Sequence, residues 1–163
     1  MQAAKDSFYI ALRDRLVTVD PQRTMALDGA TRPAIAVAEN EPPNAGPPQC
    51  DAFYLHWGNV RPVQPAVSTL MAGDCAIAYR TRGTDANASL DRGRALAALD
   101  NDLLAICAPP QTAKNDYSTG TPVPLGSTIF WTAPSLSGLV NAGPYIGREA
   151  AVTVFFYPEV NQP

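Results

Sequence analysis

Two segments of the chain repeat apolar residues at helical spacing. In the first segment, the apolar residues of one helical face are Phe8, Leu12, Leu16 and Val19. In the second segment, they are Leu96, Leu99, Leu103 and Ile106. These spacings predict a helix over 3–19, ended by Asp20-Pro21, and a second over 89–107, capped by Ser89 and stopped by Pro109.

Five other segments alternate apolar and smaller or polar residues, which is typical of strands with one packed face. They are 32–41, 50–63, 74–82, 127–133 and 148–157. The chain therefore runs helix, three strands, helix, two strands. This order predicts an α+β fold, with a mainly antiparallel sheet of four or five strands and two principal helices packed on one side.

Three connections are longer than the fold requires. Segment 41–49 has four prolines among its nine residues, and 110–126 and 134–147 are also predicted to be loops. Proline cannot donate to a sheet ladder, so 41–49 is expected to be an exposed loop or a stiff arm. With 163 residues, the chain is expected to be a single domain, 1–163, from which these loops extend.

The composition favours contacts with other proteins over contacts with nucleic acid or lipid. Charged residues make up 17% of the chain, against about 25% in a typical soluble domain. Interface cores are depleted in charge, so this value favours oligomerisation. The net charge of −3 argues against long-range attraction to nucleic acid or anionic membranes. Without a signal sequence or an apolar stretch of about 18 residues, the protein is expected to stay in the cytoplasm where it is made.

The cysteines and the single histidine do not form a recognisable chemical motif. Cys50, Cys75 and Cys107 are odd in number and widely spaced, and His56 is isolated. This pattern argues against a disulfide framework and against a zinc site, so the three thiols are expected to be small apolar fillers. His56 lies in the middle of a predicted strand, where a structural or interface histidine is more typical than a catalytic base.

The carboxylates and glycines also predict no chemistry. Asp100 and Asp102 point in different directions on a helix, so they are not expected to act as an acid–base pair. No glycine-rich phosphate-binding motif occurs. The sequence therefore predicts no catalytic residue, no metal ligand and no cofactor.

The order and local character of these segments resemble a known family. They are the helix FYIALRDRL, the strand RPAIAVAENE, the strand–turn–helix AIAYRTRGTDANASLDRGRALAALDNDLL, a strand that carries FW, and the closing strand REAAVTVFFYPE. Over residues 8–159 the chain resembles the small tail terminator (tail completion) proteins of long-tailed bacteriophages and prophages.

The resemblance implies a structural role in the virion. Such proteins form a ring, usually a hexamer, at the head-proximal end of the tail tube. The ring stops tube polymerisation and presents a surface to the head-completion or neck protein. Genomic DNA passes through the lumen without specific binding, no membrane is involved, and no catalysis or cofactor is required. The chain would be made in the host cytoplasm and end in the virion tail.

A ring closed by head-to-tail contacts needs two different complementary patches on each subunit. Strands that are apolar on both faces, such as 52–58 and 150–157, and the loops 41–49 and 134–147 are expected to supply them. The candidate residues for subunit contacts are Tyr54, His56, Trp57, Trp131, Leu136, Leu139, Tyr145, Phe155 and Tyr157. The aromatic residues are more typical of core and subunit packing than of base stacking, because no basic groove accompanies them.

Three other functions stay open at this level. They are another neck or head–tail connector component, a small-ligand or peptide-binding α+β module whose loops form a pocket, and an enzyme of unrecognised type. Ligand-dependent thermal stabilisation would favour the binding module over a tail protein.

Overall fold

The structure is a computed structural model that describes residues 1–27, 29–40, 47–64, 69–83 and 90–159. Its helices are α1, Gln2–Val19, and α2, Leu90–Ile106. Its strands are β1 Thr24–Leu27, β2 Ala30–Pro33, β3 Ile35–Val37, β4 Phe53–Pro62, β5 Met71–Thr81, β6 Gln111–Asp116, β7 Val123–Trp131, β8 Ser135–Leu136, β9 Val140–Ala142 and β10 Tyr145–Phe156. A short 3₁₀ turn, Ala38–Asn40, follows β3.

Eight strands form one curled sheet, and β1 and β2 form a separate hairpin. The sheet order is β3-β4-β5-β10-β7-β6, and β8 and β9 also pair with β10. Strand β3 runs parallel to β4, and the other pairings between described strands are antiparallel. The α+β class and the two helices confirm the prediction, but the sheet has more strands than the four or five expected.

Strand β10 is the centre of the sheet. One of its edges pairs with β5 from Ile146 to Phe156. Its other edge pairs in turn with β9, β8 and β7, which are successive stretches of the same preceding chain. The chain from β7 to β10 is therefore a long irregular hairpin that turns at Gly143, whose φ of 60° is one that glycine adopts without strain.

One core lies between the inner face of this sheet and both helices. The buried helical residues are Phe8, Leu12 and Leu16 of α1 and Leu96, Leu99, Leu103 and Ile106 of α2. The inner-face residues include Phe53, Leu55, Ile77, Val152, Val154 and Phe156. Both predicted apolar helix faces are therefore buried, except at Val19, which is exposed because α1 ends there.

Helix α1 also covers a sheet edge. The Ser7 hydroxyl, buried on α1, accepts a hydrogen bond of 2.9 Å from the backbone N–H of Asn115 in β6. The same hydroxyl lies 2.7 Å from the Ala3 carbonyl oxygen, to which it donates. A side chain thus replaces the missing neighbour of an edge strand, which would otherwise present unpaired backbone groups.

A second, smaller cluster lies on the outer face of the sheet, at one end. Its members are Met25, Ala34, Ala36, Ala52 and Tyr54. Residues 47–49, the described end of the proline-rich segment, are fixed beside it, because the Gln49 N–H donates to the Tyr54 hydroxyl at 2.8 Å and Arg80 donates to the Pro48 carbonyl. The β1–β2 hairpin and this segment therefore cover one end of the outer face.

Several predicted boundaries are wrong, mostly where polar residues conceal strands. The loop predicted over 110–126 contains β6 and the start of β7, and the loop predicted over 134–147 contains β8, β9 and the start of β10. The region after α1 forms β1 and β2, and the strand predicted over 32–41 divides among β2, β3 and the 3₁₀ turn. The predicted cap Ser89 and residues 41–46 of the proline-rich loop lie outside the described residues.

Candidate interaction surface

The two faces of β10 have similar chemistry but different surroundings. On the inner face, Ala150, Val152, Val154 and Phe156 are all buried. On the outer face, Ala151 is exposed, and Thr153 and Phe155 are half-buried. A strand whose outer face is this apolar presents a surface that the subunit's own core does not use.

The outer face continues across neighbouring strands. Ala151 is in register with Ala76 of β5, and Phe155 is in register with Phe130 of β7. The rings of Phe130 and Phe155 are stacked, with centroids 5.1 Å apart and an interplanar angle of 17°. Phe130 is 41% exposed. We call this surface the outer plate; its residues are Ala76, Phe130, Ala151, Thr153 and Phe155.

Charged side chains border the outer plate. Arg61 of β4 forms an ion pair with Asp74 of β5, and the hydroxyl of Thr153 donates to the other oxygen of Asp74 at 3.3 Å. His56, in register with Ala76, is exposed at the same level of the sheet. Glu149 of β10, two residues before Ala151 on the same face, is exposed. The plate is therefore an aromatic and small-residue surface bordered by charged side chains, an arrangement that resembles the apolar core and polar rim of a protein interface.

A second apolar surface lies at the start of β9, three to four residues before the Gly143 turn of the hairpin that joins β9 to β10. Leu139 is 64% exposed and Val140 is 59% exposed. We call residues 137–147 the arm. Its turn is anchored to α2, because an Arg92 Nη1 proton is donated to the Pro144 carbonyl oxygen at 3.1 Å. Beside the turn, the guanidinium of Arg80 lies 4.5 Å from the ring centroid of Tyr145. The position of the arm, which includes Leu139 and Val140, is therefore fixed by these contacts at its turn.

A groove lies near the start of α1. It encloses about 660 Å³, and its lining residues are Met1, Gln2, Lys5, Val60, Met71, Pro158 and Glu159. Glu159 forms an ion pair with Lys114, which is only 2% exposed and also donates to the Tyr157 carbonyl. This buried pair fixes the segment after β10 as one wall of the groove.

Some predicted contact residues lie on exposed or half-exposed surface. Leu139 lies just before β9 and Tyr145 just after the turn of the arm, Phe155 belongs to the outer plate, and His56 and Tyr157 are exposed. The structure brings Phe155 together with Phe130, which the sequence analysis did not single out. Phe130 was missed because it lies between Ile129 and Trp131, and only the sheet register shows that it faces outward. Val140 was missed because its segment was predicted to be a loop.

Other predicted contact residues are engaged by the subunit's own core. Trp131 is 3% exposed, contacts Phe8 edge-to-face at 5.0 Å, and donates its indole proton to the Cys107 carbonyl at 2.9 Å. Tyr54 is buried in the outer cluster. In this conformation neither side chain is available to a neighbouring subunit.

Trp57 and Leu136 are intermediate cases. Both are partly buried and pack against the main core. The Trp57 ring also lies 5.2 Å from the Lys5 ammonium, and its backbone N–H donates to Glu39 at 2.7 Å. These two residues support the subunit and leave only part of their surface accessible.

The two buried thiols and the Tyr79 hydroxyl are held in their neutral forms. Burial raises the pKa of Cys75 and of Cys107 to about 12, so neither thiol is ionised near neutral pH. Burial, followed by the hydrogen bond of 2.6 Å that Tyr79 donates to Asp100, raises the pKa of Tyr79. These environments suit structural groups and do not favour a thiolate nucleophile.

The carboxylates of Asp100 and Asp102 bind different partners, as expected because the two side chains point in different directions on the helix. Asp100 accepts the Tyr79 hydroxyl, whereas Asp102 pairs with Arg23 at 2.7 Å. Within the described ranges, no three His, Cys, Asp or Glu side chains come together as a potential metal site. Neither helix of the described chain is both long and apolar enough to cross a membrane.

Comparison with known proteins does not assign this chain to a family. No protein-family model matches the sequence, and no curated protein matches it either. The outer plate, the arm and the groove are therefore the features from which a function is inferred.

Proposed function

We propose that this chain is a structural virion protein that forms a hexameric ring at the head-proximal end of a phage tail tube. The ring would stop tube polymerisation and provide the surface to which the head or neck attaches. Its partners are other copies of itself, the tail-tube protein and the head-completion protein. Its place is the head-proximal end of the tail.

The observation that carries this proposal is the presence of two different exposed apolar surfaces on one sheet. The outer plate is aromatic and broad, whereas the surface of the arm at Leu139 and Val140 is aliphatic and narrow. A ring needs two unlike patches on each subunit, because each subunit contacts one neighbour with one patch and the next neighbour with the other. Neither surface is needed to fill the core between the sheet and the two helices.

The charge of the chain supports the expected behaviour toward DNA. With a net charge of −3, the chain has no excess of basic residues with which to hold the phosphate backbone. A ring of such subunits would let the genome pass without gripping it. We expect no salt-dependent DNA binding by the assembled protein.

The test is the assembly state of the purified chain, alone and with a phage tail-tube protein. Sedimentation velocity at micromolar concentration is expected to show a discrete ring, with a mass of several 17.3 kDa subunits. A ring that binds a neck protein but not the tube would instead indicate another connector component. A monomer under both conditions would contradict the proposal.

A small-ligand or peptide-binding module is the second candidate, and the groove beside α1 favours it. A cleft of about 660 Å³ with mainly apolar walls and a few polar groups has the size of a ligand site. Under this alternative, a peptide or small-molecule library would raise the melting temperature. Under the tail proposal, such compounds leave the melting temperature unchanged, whereas subunit assembly raises it with protein concentration.

A further inference from the structure

A small pocket lies on the outer face of the sheet, beside residues 47–49. It encloses about 120 Å³, its lining is mainly apolar, and its walls include Tyr54, His56, Ala78 and Arg80. A cavity of about 150 Å³ can hold a benzene ring, so this pocket has room for roughly five non-hydrogen atoms. A site for a drug-sized ligand is larger, at about 300 Å³ or more. The pocket therefore fits a very small molecule or a single side chain.

One wall of the pocket carries a positive charge that the described chain does not neutralise. Among the described residues, no carboxylate lies within ion-pair distance of Arg80. Its guanidinium donates one hydrogen bond, to the Pro48 carbonyl oxygen, although a guanidinium can donate several. The Nε proton is shielded from solvent and has no acceptor within the described ranges. Because a partly enclosed cation without a counter-charge is costly, Arg80 is a group to which an anion would bind.

Two further polar groups of the lining can donate to a ligand in the pocket. The Tyr54 hydroxyl oxygen accepts the Gln49 N–H at 2.8 Å, and its own proton has no acceptor among the residues that the structure describes. The His56 ring also lines the pocket, and an imidazole can donate from one nitrogen or from both. Together with Arg80, these groups form a set of donors, which is the chemistry of an anion site.

The guanidinium of Arg80 is held in place before any ligand binds. It lies 4.5 Å from the ring centroid of Tyr145 and is bound to the Pro48 carbonyl. Gly147 lies opposite Arg80 in register, where a Cβ would come within 3.0 Å of the Arg80 Cβ and 2.7 Å of the Tyr79 carbonyl oxygen. The glycine therefore leaves the room that Arg80 occupies. A planar guanidinium fixed in this way loses little conformational entropy when a carboxylate binds.

The lining favours a carboxylate over a phosphate ion. One guanidinium balances the single charge of a carboxylate, and the apolar walls at Ala78 and Pro48 fit a short hydrocarbon chain. A phosphate ion would place oxygen atoms against these walls, where they would lack donors. Glu149 is in register with Ala78 on the same face, but it is exposed and is not among the lining residues. This nearby carboxylate of the chain therefore does not fill the pocket.

We infer that this pocket binds a carboxylate carried on a short aliphatic chain, of the size of propionate. The carboxylate lies against Arg80 and the Tyr54 hydroxyl, and the hydrocarbon part lies against Ala78 and Pro48. The same chemical group occurs as a free acid and as the glutamate side chain of another protein. The pocket is complete within one subunit, so this inference is independent of the proposed function.

The single histidine of the chain reports binding directly, because His56 lines the pocket and no other imidazole overlaps its ring signals in proton NMR. At constant pH and ionic strength, sodium propionate is expected to shift these signals saturably. The dissociation constant is expected to be on the order of millimolar, because so small a ligand makes few contacts. Such an affinity leaves the melting temperature unchanged at the concentrations of a compound library. Propionamide has the same shape without the charge and is expected to leave the signals in place, and inorganic phosphate is expected to bind at least about tenfold more weakly.

Two variants and a control locate the site. Arg80→Met removes the guanidinium, and Ala78→Leu fills the pocket without removing a polar group; each is expected to weaken propionate binding at least about tenfold. The control Arg82→Met removes another arginine, which is exposed, lies 6.0 Å from the ring centroid of Tyr145 and does not line the pocket. It is expected to bind propionate within about twofold of the unaltered chain at about 0.15 M salt. If Arg80→Met releases residues 47–49, Ala78→Leu alone carries the test, since it keeps the contacts of Arg80.

A capped Ala-Glu-Ala peptide, with Ala-Gln-Ala as its control, distinguishes the two sources of the carboxylate. If the glutamate peptide competes with propionate and Ala78→Leu abolishes its binding, the group belongs to another protein. If propionate binds and the peptide does not, the ligand is a free acid. Both results support the inference.

Four results would overturn the inference. They are a shift that does not saturate, an equal shift with propionamide, phosphate binding as tight as that of propionate, and Ala78→Leu binding propionate like the unaltered chain. A loss with Arg82→Met as large as that with Arg80→Met would also overturn it, because it would indicate a general attraction to positive charge. These results concern the pocket alone, whereas ring formation is decided separately by sedimentation.

Discussion

The inner and outer faces of β10 are built from similar residues but have different roles. On the inner face, Val154 and Phe156 are enclosed by the two helices. On the outer face, Phe155 contacts only Phe130 among the aromatic side chains and stays partly accessible. Apolar content therefore does not distinguish a core face from an interaction face. What distinguishes them is whether the same chain provides a layer to cover the face.

The comparison predicts a large difference between two adjacent phenylalanines. Phe156→Ala removes a fully buried ring and is expected to lower the free energy of unfolding by about 3–5 kcal/mol. Phe155→Ala removes a partly accessible ring and is expected to lower it by about 1 kcal/mol or less, including the lost stacking. Urea unfolding of the two variants in monomeric form measures both values. Equal losses would mean that the outer face belongs to the core.

The stability of the protein at alkaline pH tests whether the inner side of the sheet is enclosed. The folded pKa of Cys75 and Cys107 is about 12, against an ordinary value of 9.0. Above about pH 9 the unfolded chain loses these protons and the folded chain keeps them, so their contribution to stability is complete below pH 9 and is lost between pH 9 and 12. We expect the two thiols together to lower the free energy of unfolding by about 3 kcal/mol at pH 10.

Thiol labelling checks the same point independently. At pH 8, Cys50, which is half-buried and outside the main core, is expected to react with a thiol reagent in the native protein. Cys75 and Cys107 are expected to react only after unfolding. Rapid labelling of all three in the native state would contradict the enclosed inner side.

The smallest expected difference concerns two hydroxyl groups. Ser7→Ala removes the acceptor of the Asn115 N–H and is expected to cost about 1–2 kcal/mol, because a buried backbone donor loses its partner. Thr153→Val, on the outer plate, removes a longer contact to Asp74 at 3.3 Å and is expected to change stability by about 0.5 kcal/mol or less. Thermal unfolding of both variants separates a hydroxyl that supports the fold from one that does not.

The sequence predicted the inner side better than the outer side, for a physical reason. Leu96, Leu99 and Leu103 recur at the helical period because a helix packed on a sheet needs one apolar face, and this period is visible without a structure. The polar strand β6 was not predicted because its buried member is Lys114, whose charge is compensated by Glu159 from a distant part of the chain. An ion pair between residues far apart in the chain leaves no pattern in the local sequence from which the strand could be predicted.

The candidate contact residues show the same limit. Trp131 and Phe155 both lie on strands and are both aromatic, and only the sheet register assigns one to the inner face and the other to the outer face. The absence of charge from Tyr117 to Gly147 was the available signal for the arm and for Phe130. A count of charged residues in short windows along the sequence would have revealed this uncharged stretch.

The central claim is that the outer side of this molecule exists to contact other protein chains and to end a growing tube. Its most direct test is the length of tail tubes polymerised from the matching tail-tube protein with increasing amounts of this chain, measured by electron microscopy with the chain labelled. We expect tubes to shorten as the chain is added and the label to lie at one end only. Tubes of unchanged length, with no label at either end, would contradict the claim.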